Sequence, residues 1–167
     1  MIQMIRVDDR LIHGQVALLW TKELQIDRII VANDLAAKND IQKNALHLAA
    51  PTGVKVAVVP VSHAVKMAND PRAKALKILI VVNNVSDLLT LTTGIAEPGK
   101  VDIANVGRVQ GGLKDKRKLS DTVYLSDADI DKVKQIAAQT DNLVYQPLPS
   151  DTATPFLKLL EGNKRYM

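Results

Sequence analysis

Five short apolar runs recur along the chain and constrain its fold more than any other feature: Met4–Val7, Asp27–Ala32, Val54–Val59, Lys77–Val82 and Val101–Val106. Each is four to six residues long, rich in Val and Ile, and stops at a turn-forming residue, as buried strands do. Between them lie segments with apolar residues at helical spacing. One opens at Gly14, where Val16, Leu19 and Trp20 share a face. A second spans Asn39–Ala50, with Asn39 as N-cap and Pro51-Thr52-Gly53 as its stop. Two more cover Ser62–Asn69, with Ser62 as cap, and Ser86–Thr93. Strand–helix alternation of this kind predicts an α/β fold, an open and mostly parallel sheet with helices on both faces.

After Gly107 the alternation changes. Gly107, Gly111 and Gly112 permit tight loop geometry, and Lys114–Lys118 places four basic residues around Asp115, a segment that reads as a solvated loop. A brief strand at Thr122–Leu125 leads into a helix from Ser126 to about Thr140, which carries a Ser-x-x-Asp capping pattern at Ser126 and Asp129. Leu143–Gln146 reads as a last strand and Thr154–Glu161 as a terminal helix. No repeat, low-complexity tract or linker divides the chain, so residues 1–167 are expected to form one domain.

Composition narrows the function classes. The chain has no cysteine, which excludes disulfides, thiolate metal sites and cysteine nucleophiles. Its net charge of +4 invites nucleic acid as a partner, but only 3% of residues are aromatic, so stacking platforms for bases are nearly absent. A mildly basic face for an acidic protein partner suits the scattered lysines and arginines better. No apolar run approaches the roughly 18–20 residues that cross a bilayer, and Met1–Arg10 lacks the layout of a signal peptide; a cytoplasmic protein is expected.

The turn from the first strand into the first helix concentrates the chemistry. Asp8, Asp9, Arg10 and His13 fall within six residues, at what should be the carboxyl edge of the sheet, where open α/β folds bind ligands. An imidazole acts as nucleophile, acid or base near neutral pH. A helix N-terminus beside it offers free N–H groups to an anion, and Arg10 adds a planar fork of donors matched to phosphate oxygens. Asp8 or Asp9 could hold one ring nitrogen as N–H and leave the other to attack. Together these parts describe a histidine that can carry a phosphoryl group. The plainer reading of each residue alone is that Asp8 and Asp9 cap the helix, Arg10 pairs with them, and His13 is an ordinary first-turn residue. Metal binding fits poorly, because Arg10 puts a positive charge in the loop and no second histidine stands at ligand spacing.

Elsewhere, His47 reads as a structural histidine on the flank of a helix. His63, at a helix start beyond the third strand, has a weaker claim to a supporting role. Asn105, Gly107, Gly111 and Gly112 could form a loop with N–H groups facing phosphate, though not a P-loop, since the spacing fails and no Lys-Ser or Lys-Thr pair follows. Trp20 is expected in the core.

The segment DDRLIHGQV at Asp8–Val16, followed by Trp20, resembles the active-site signature of the IIB component of the mannose, fructose and sorbose class of the bacterial sugar phosphotransferase system (PTS). Weaker similarities follow in family order: IIVANDLAAKNDIQ at Ile29–Gln42, AAPTGVKV at Ala49–Val56, NVG at Asn105–Gly107, VYLSDADI at Val123–Ile130 and QPLP at Gln146–Pro149. Arg108 departs from the pattern, which more usually has a small or neutral residue there.

The resemblance implies a phosphotransferase component, the IIB part of a protein-Nπ-phosphohistidine–sugar phosphotransferase. His13 would be nucleophile and then leaving group, Arg10 the phosphate clamp, and the amides of Leu11, Ile12, His13 and Gly14 further donors. Asp9, with Asp8 as the alternative, would orient the ring. No metal and no organic cofactor are implied. The partners would be a IIA protein or domain, the membrane IIC and IID components and a sugar; a homodimer stays open, as do the sugar's identity and the nitrogen that is phosphorylated. The protein would be cytoplasmic, held at the inner face of the membrane through IIC and IID. Two other classes remain: a non-catalytic regulatory domain that binds phosphate or another anion at the same edge, and, more remotely, a metal-dependent hydrolase.

Overall fold

The computed structural model describes residues 1–108 and 113–164. Its centre is β1 (Ile2–Asp8), flanked on one side by β4 (Ile78–Val82), β2 (Arg28–Ala32) and β3 (Lys55–Val59), and on the other by β5 (Lys100–Asn105), β8 (Leu143–Tyr145) and β9 (Thr154–Pro155). The first six of these strands in spatial order, β3-β2-β4-β1-β5-β8, run parallel; only β9 at the edge is antiparallel.

Side-chain alternation along the strands divides the core between two faces. Ile5, Val7, Ile30, Ile80 and Ile103 point to one face, covered by α4 (Val61–Asn69), α5 (Val85–Gly94), α6 (Asp127–Gln139) and α7 (Phe156–Lys164). Met4, Ile29, Val31 and Val81 point to the other, covered by α1 (Gly14–Leu24), α2 (Asp34–Ala37) and α3 (Asp40–Ala49). Trp20 of α1 is 1% exposed and anchors this second layer; burying an indole of its size contributes about 5 kcal/mol. The expected α/β architecture, mostly parallel with helices on both faces, is therefore the one observed.

Local capping chemistry accounts for most helix starts. Asn39 and Asn84 accept the N–H groups of Gln42 and Asp87, and Ser126 forms a full capping box with Asp129. Ser62 does not cap as expected. Pro60 takes the N-cap position of α4, and the Val61 amide donates instead to Asp34 Oδ1 across from α2, at 2.9 Å.

Three segments differ from their sequence reading. Arg117–Ser120 is not simply a solvated loop but a strand, β6, paired antiparallel with β7 (Val123–Leu125). The terminal helix begins at Phe156, because Thr154 and Pro155 pair with Tyr145 and Val144 instead. Pro71–Ala75 forms a 3-10 turn closed by Asp70. Gly111 and Gly112, expected in a phosphate-facing loop, lie outside the described residues.

Candidate functional site

The site is built where β1 and β5, neighbours in the sheet, both release the chain at the carboxyl edge. Strands β4, β2 and β3 lie to one side of β1 and β5 to the other, and it is at such divides that open α/β sheets leave a crevice. Asp8, last in β1, makes the turn itself. Its carbonyl accepts the Leu11 amide at 2.9 Å, and its Oδ1 accepts the Arg10 amide at 3.0 Å. Leu11 is thereby held at φ 62°, a left-handed conformation that costs a branched side chain roughly 1–2 kcal/mol. Burial of the Leu11 and Ile12 side chains, 5% and 6% exposed, holds the strained turn in place.

These two pegs leave His13 outside. It is exposed, occupies the N-cap position of α1, and makes no capping bond with its side chain. No carboxylate caps the helix, and its first turn contains no acidic residue. Among the described residues the amides of Ile12, His13 and Gly14 have no acceptor, as expected for a helix start without a cap. They lie at the positive end of the helix dipole. Leu11 is a correction: its amide is spent on the Asp8 carbonyl, so it is not one of the free donors that were expected there.

Arg10 is exposed, its side chain 45% accessible, with Nε 3.6 Å from Asp8 Oδ1. A loose contact of this kind leaves the fork available to an anion.

Asp9 sits at the site but engages differently from the ring-orienting role expected of it. Its two oxygens accept the amides of Gly107 and Arg108, at 3.2 and 3.1 Å, and no hydrogen bond joins it to His13 among the described residues. It ties the β1 loop to the β5 loop. The amides of Gly107 and Arg108, which a phosphate-facing NVG loop would present outward, are turned inward by this carboxylate. Lys116 Nζ adds a bond to the Gly107 carbonyl at 2.9 Å. Arg108 is exposed, with Nη2 3.4 Å from Asn105 Oδ1.

Beneath the loop lies a buried charged cluster that the sequence reading did not single out. Arg6 and Asp102 are register partners on β1 and β5, and Arg6 Nη1 donates to Asp102 Oδ2 at 2.8 Å. Arg6 also donates to the carbonyls of Gln146 and Pro147, and lies 5.5 Å from the Trp20 ring centroid. Trp20 Nε1 donates to the same Pro147 carbonyl at 3.1 Å. The QPLP segment is thus fastened against α1. Arg6 Nη2 is 3.9 Å from Asp8 Oδ2, so charges alternate from buried Asp102 through Arg6 and Asp8 to exposed Arg10. Complete burial pushes the Asp102 carboxyl up to about 6, despite the opposing pull of Arg6 and the Gln146 amide. One arginine within β1 and one aspartate within β5, each in an otherwise apolar run, were the signal available in the sequence.

The remaining candidates do not converge on His13. His47 is exposed on α3. His63 is exposed on α4, which covers the face of the sheet opposite to α1. Asn33 and Asn83 bond to each other at 3.2 Å, and Asn33 and Asn84 cap helices. The polar residues at these strand ends hold the edge together. No cluster of three or more metal-ligating side chains occurs among the described residues.

Comparison with known proteins decides the family. The family model for the sorbose subfamily IIB component of the PTS system matches residues 2–167. The chain belongs to this IIB family. A probable phosphotransferase enzyme IIB component of Streptococcus pyogenes is 38% identical over 162 residues, covering 96% of this chain and 99% of that protein. The mannose-specific EIIAB component of Escherichia coli is 32% identical over 160 residues; this IIB chain spans 47% of its length. The crystal structure of the IIBSor domain of the sorbose permease from Klebsiella pneumoniae superposes with a TM-score of 0.86 at 27% identity, covering 97% of each chain. The chain is accordingly a phosphotransferase-system component of the sorbose and mannose class. No described helix of this IIB chain is long and apolar enough to cross a membrane.

Proposed function

We propose that this chain is the phosphoryl carrier of its transport system, a single IIB unit spanning residues 1–167 in which His13 is the phosphorylated residue. The observation that carries the reading is the setting of that histidine. It is exposed at the uncapped start of α1, on a turn pinned by Leu11 and Ile12, with Arg10 three residues away. A carrier must offer one atom in turn to two partners, and an exposed imidazole on a rigid edge does so.

In the first step the N–P bond of a phosphohistidine on a IIA protein or domain breaks as a new N–P bond forms to His13. In the second, a hydroxyl of the sugar taken up through IIC and IID attacks the phosphorus. An O–P bond replaces the N–P bond, the hydroxyl proton leaves, and His13 returns to its starting state. Both are in-line transfers of a weakly bonded phosphoryl, for which the protein supplies position and charge rather than covalent chemistry. Arg10 clamps the equatorial oxygens, and the amides of Ile12, His13 and Gly14 add donors at the helix start. Asp9 acts as a positioning residue through the Gly107–Arg108 loop. The chain works in the cytoplasm, at the inner face of the membrane, docked on IIC and IID. The Escherichia coli relative, named EIIAB and about twice as long, supports a IIA unit as the donor.

The test is intact-mass analysis after incubation with phosphoenolpyruvate, the general phosphotransferase proteins and a mannose-class IIA. The wild type should gain one phosphate that is lost in acid, and His13→Ala should gain none. Equal phosphorylation of the His13→Ala chain would end the proposal. A demonstrably active IIA that leaves the wild type unmodified would favour the non-catalytic anion-binding alternative.

A further inference from the structure

A cavity of about 520 Å³ lies away from His13. It lies under α4 and the Pro71–Ala75 turn, at the amino ends of β2, β3 and β4, the edge opposite the His13 loop. We propose that it is a second ligand site, for a small amphiphilic anion with one acidic head on an aromatic or short aliphatic body.

Three features carry the assignment. The volume falls within the range of roughly 300–1,000 Å³ usual for small-molecule pockets. The interior is apolar: Ile30, Ala57, Met67 and Leu76 line it, with Met67 able to adapt its shape to an occupant. The mouth carries two exposed cations, Arg28 and Lys55. Arg28 and Lys55 are register partners on adjacent parallel strands, and alternation with Ile30 and Ala57 places both side chains on the cavity face. Like charges paired across strands repel. No carboxylate is hydrogen-bonded or ion-paired to either side chain among the described residues. Arg72 at the same mouth is already neutralised by Asp70, through bonds of 3.1 and 2.8 Å. An anion between Arg28 and Lys55 relieves their repulsion, and a body attached to it would reach the apolar interior. Inorganic phosphate alone would leave that interior unfilled, and a neutral hydrophobe would leave the two cations unpaired.

Ala57 keeps the space open. It is half-buried on the edge strand, so a larger side chain there fills the cavity without entering the closed core. The cavity and the His13 loop lie at opposite ends of the strands and against opposite faces of the sheet, so this site stands or falls independently of phosphoryl transfer.

The experiment is methyl NMR on the full chain labelled at Met and Ala, titrated separately with 2-naphthyl phosphate, 2-naphthol and inorganic phosphate. The expected result is saturable movement of the Met67 and Ala57 methyls with 2-naphthyl phosphate, and at least roughly tenfold weaker binding of the other two compounds. Arg28→Gln with Lys55→Gln should weaken the naphthyl phosphate by a similar factor. Ala57→Leu should abolish its binding, and both variants should retain wild-type phosphorylation. No saturable shift, shifts confined to Ala17 beside the His13 loop, or binding unchanged in both variants would overturn the proposal.

Discussion

Replacing Gly107 by alanine should disturb the stability of the fold and the setting of the site together. Gly107 has φ +92°, and a Cβ built there lies 1.9 Å from the Tyr124 carbonyl oxygen and 2.9 Å from its carbon. Ordinary contact begins near 3.4 Å, so about 1.5 Å of separation must be found, and the obstacle is backbone that cannot swing aside. If the β6–β7 hairpin yields, the bonds from the Tyr124 amide to Val106 and from the Val106 amide to Thr122 are lost, at about 1 kcal/mol each. If the Gly107 loop yields, Asp9 loses two amide donors while only 8% exposed, at about 1.5–3 kcal/mol per bond. The left-handed backbone adds roughly 1–2 kcal/mol for alanine in either case. The total is about 3–4 kcal/mol in the first case and about 4–8 kcal/mol in the second. Urea unfolding followed by the fluorescence of Trp20, the only tryptophan, reads this directly. With a urea dependence of about 1–3 kcal/mol per molar, the midpoint should fall by at least about 1 M. A midpoint within about 0.3 M of wild type would show that the loop and hairpin are not coupled through this contact.

Two further outcomes follow from the site. Arg10→Ala should slow phosphorylation by roughly 10- to 100-fold, the value of one charge-assisted contact, while the urea midpoint moves little because Arg10 is exposed and touches buried Asp8 only at 3.6 Å; wild-type transfer rates in this variant would remove Arg10 from the clamp. Asp102 sets a pH dependence: its folded value of about 6 lies above the ordinary carboxylate value, so its contribution to stability is complete below about pH 4 and is lost as pH rises through 6. The stability difference between wild type and Asp102→Asn should therefore fall by about 2–3 kcal/mol between pH 4 and pH 7, and a difference that grows with pH would refute the assignment.

Much of the molecule was legible in the chain. Short Val- and Ile-rich runs, interrupted by helices with Asn39, Ser126 and Asp129 at their starts, determine a parallel sheet and where several of its helices begin, because periodicity and capping act over three or four residues. The Asp8–His13 turn could be placed at the carboxyl edge of the sheet. Ser62 misled for an instructive reason: the carboxylate that serves the start of α4 comes from Asp34, in α2, so a rule confined to neighbours could not find it.

What the tertiary structure alone decided is which distant residues share a strand register or a loop contact. Arg6 meets Asp102, 96 positions along the chain, because β5 settles beside β1 and their register sets the two side chains opposite each other. Asp9 accepts the Gly107 and Arg108 amides for the same reason. The basic Arg117–Ser120 segment becomes a strand only when β7 is there to receive its hydrogen bonds. Local pattern specifies an element and its faces. Strand order and register are settled by the packing of the whole core, and with them go the partners of every buried charge.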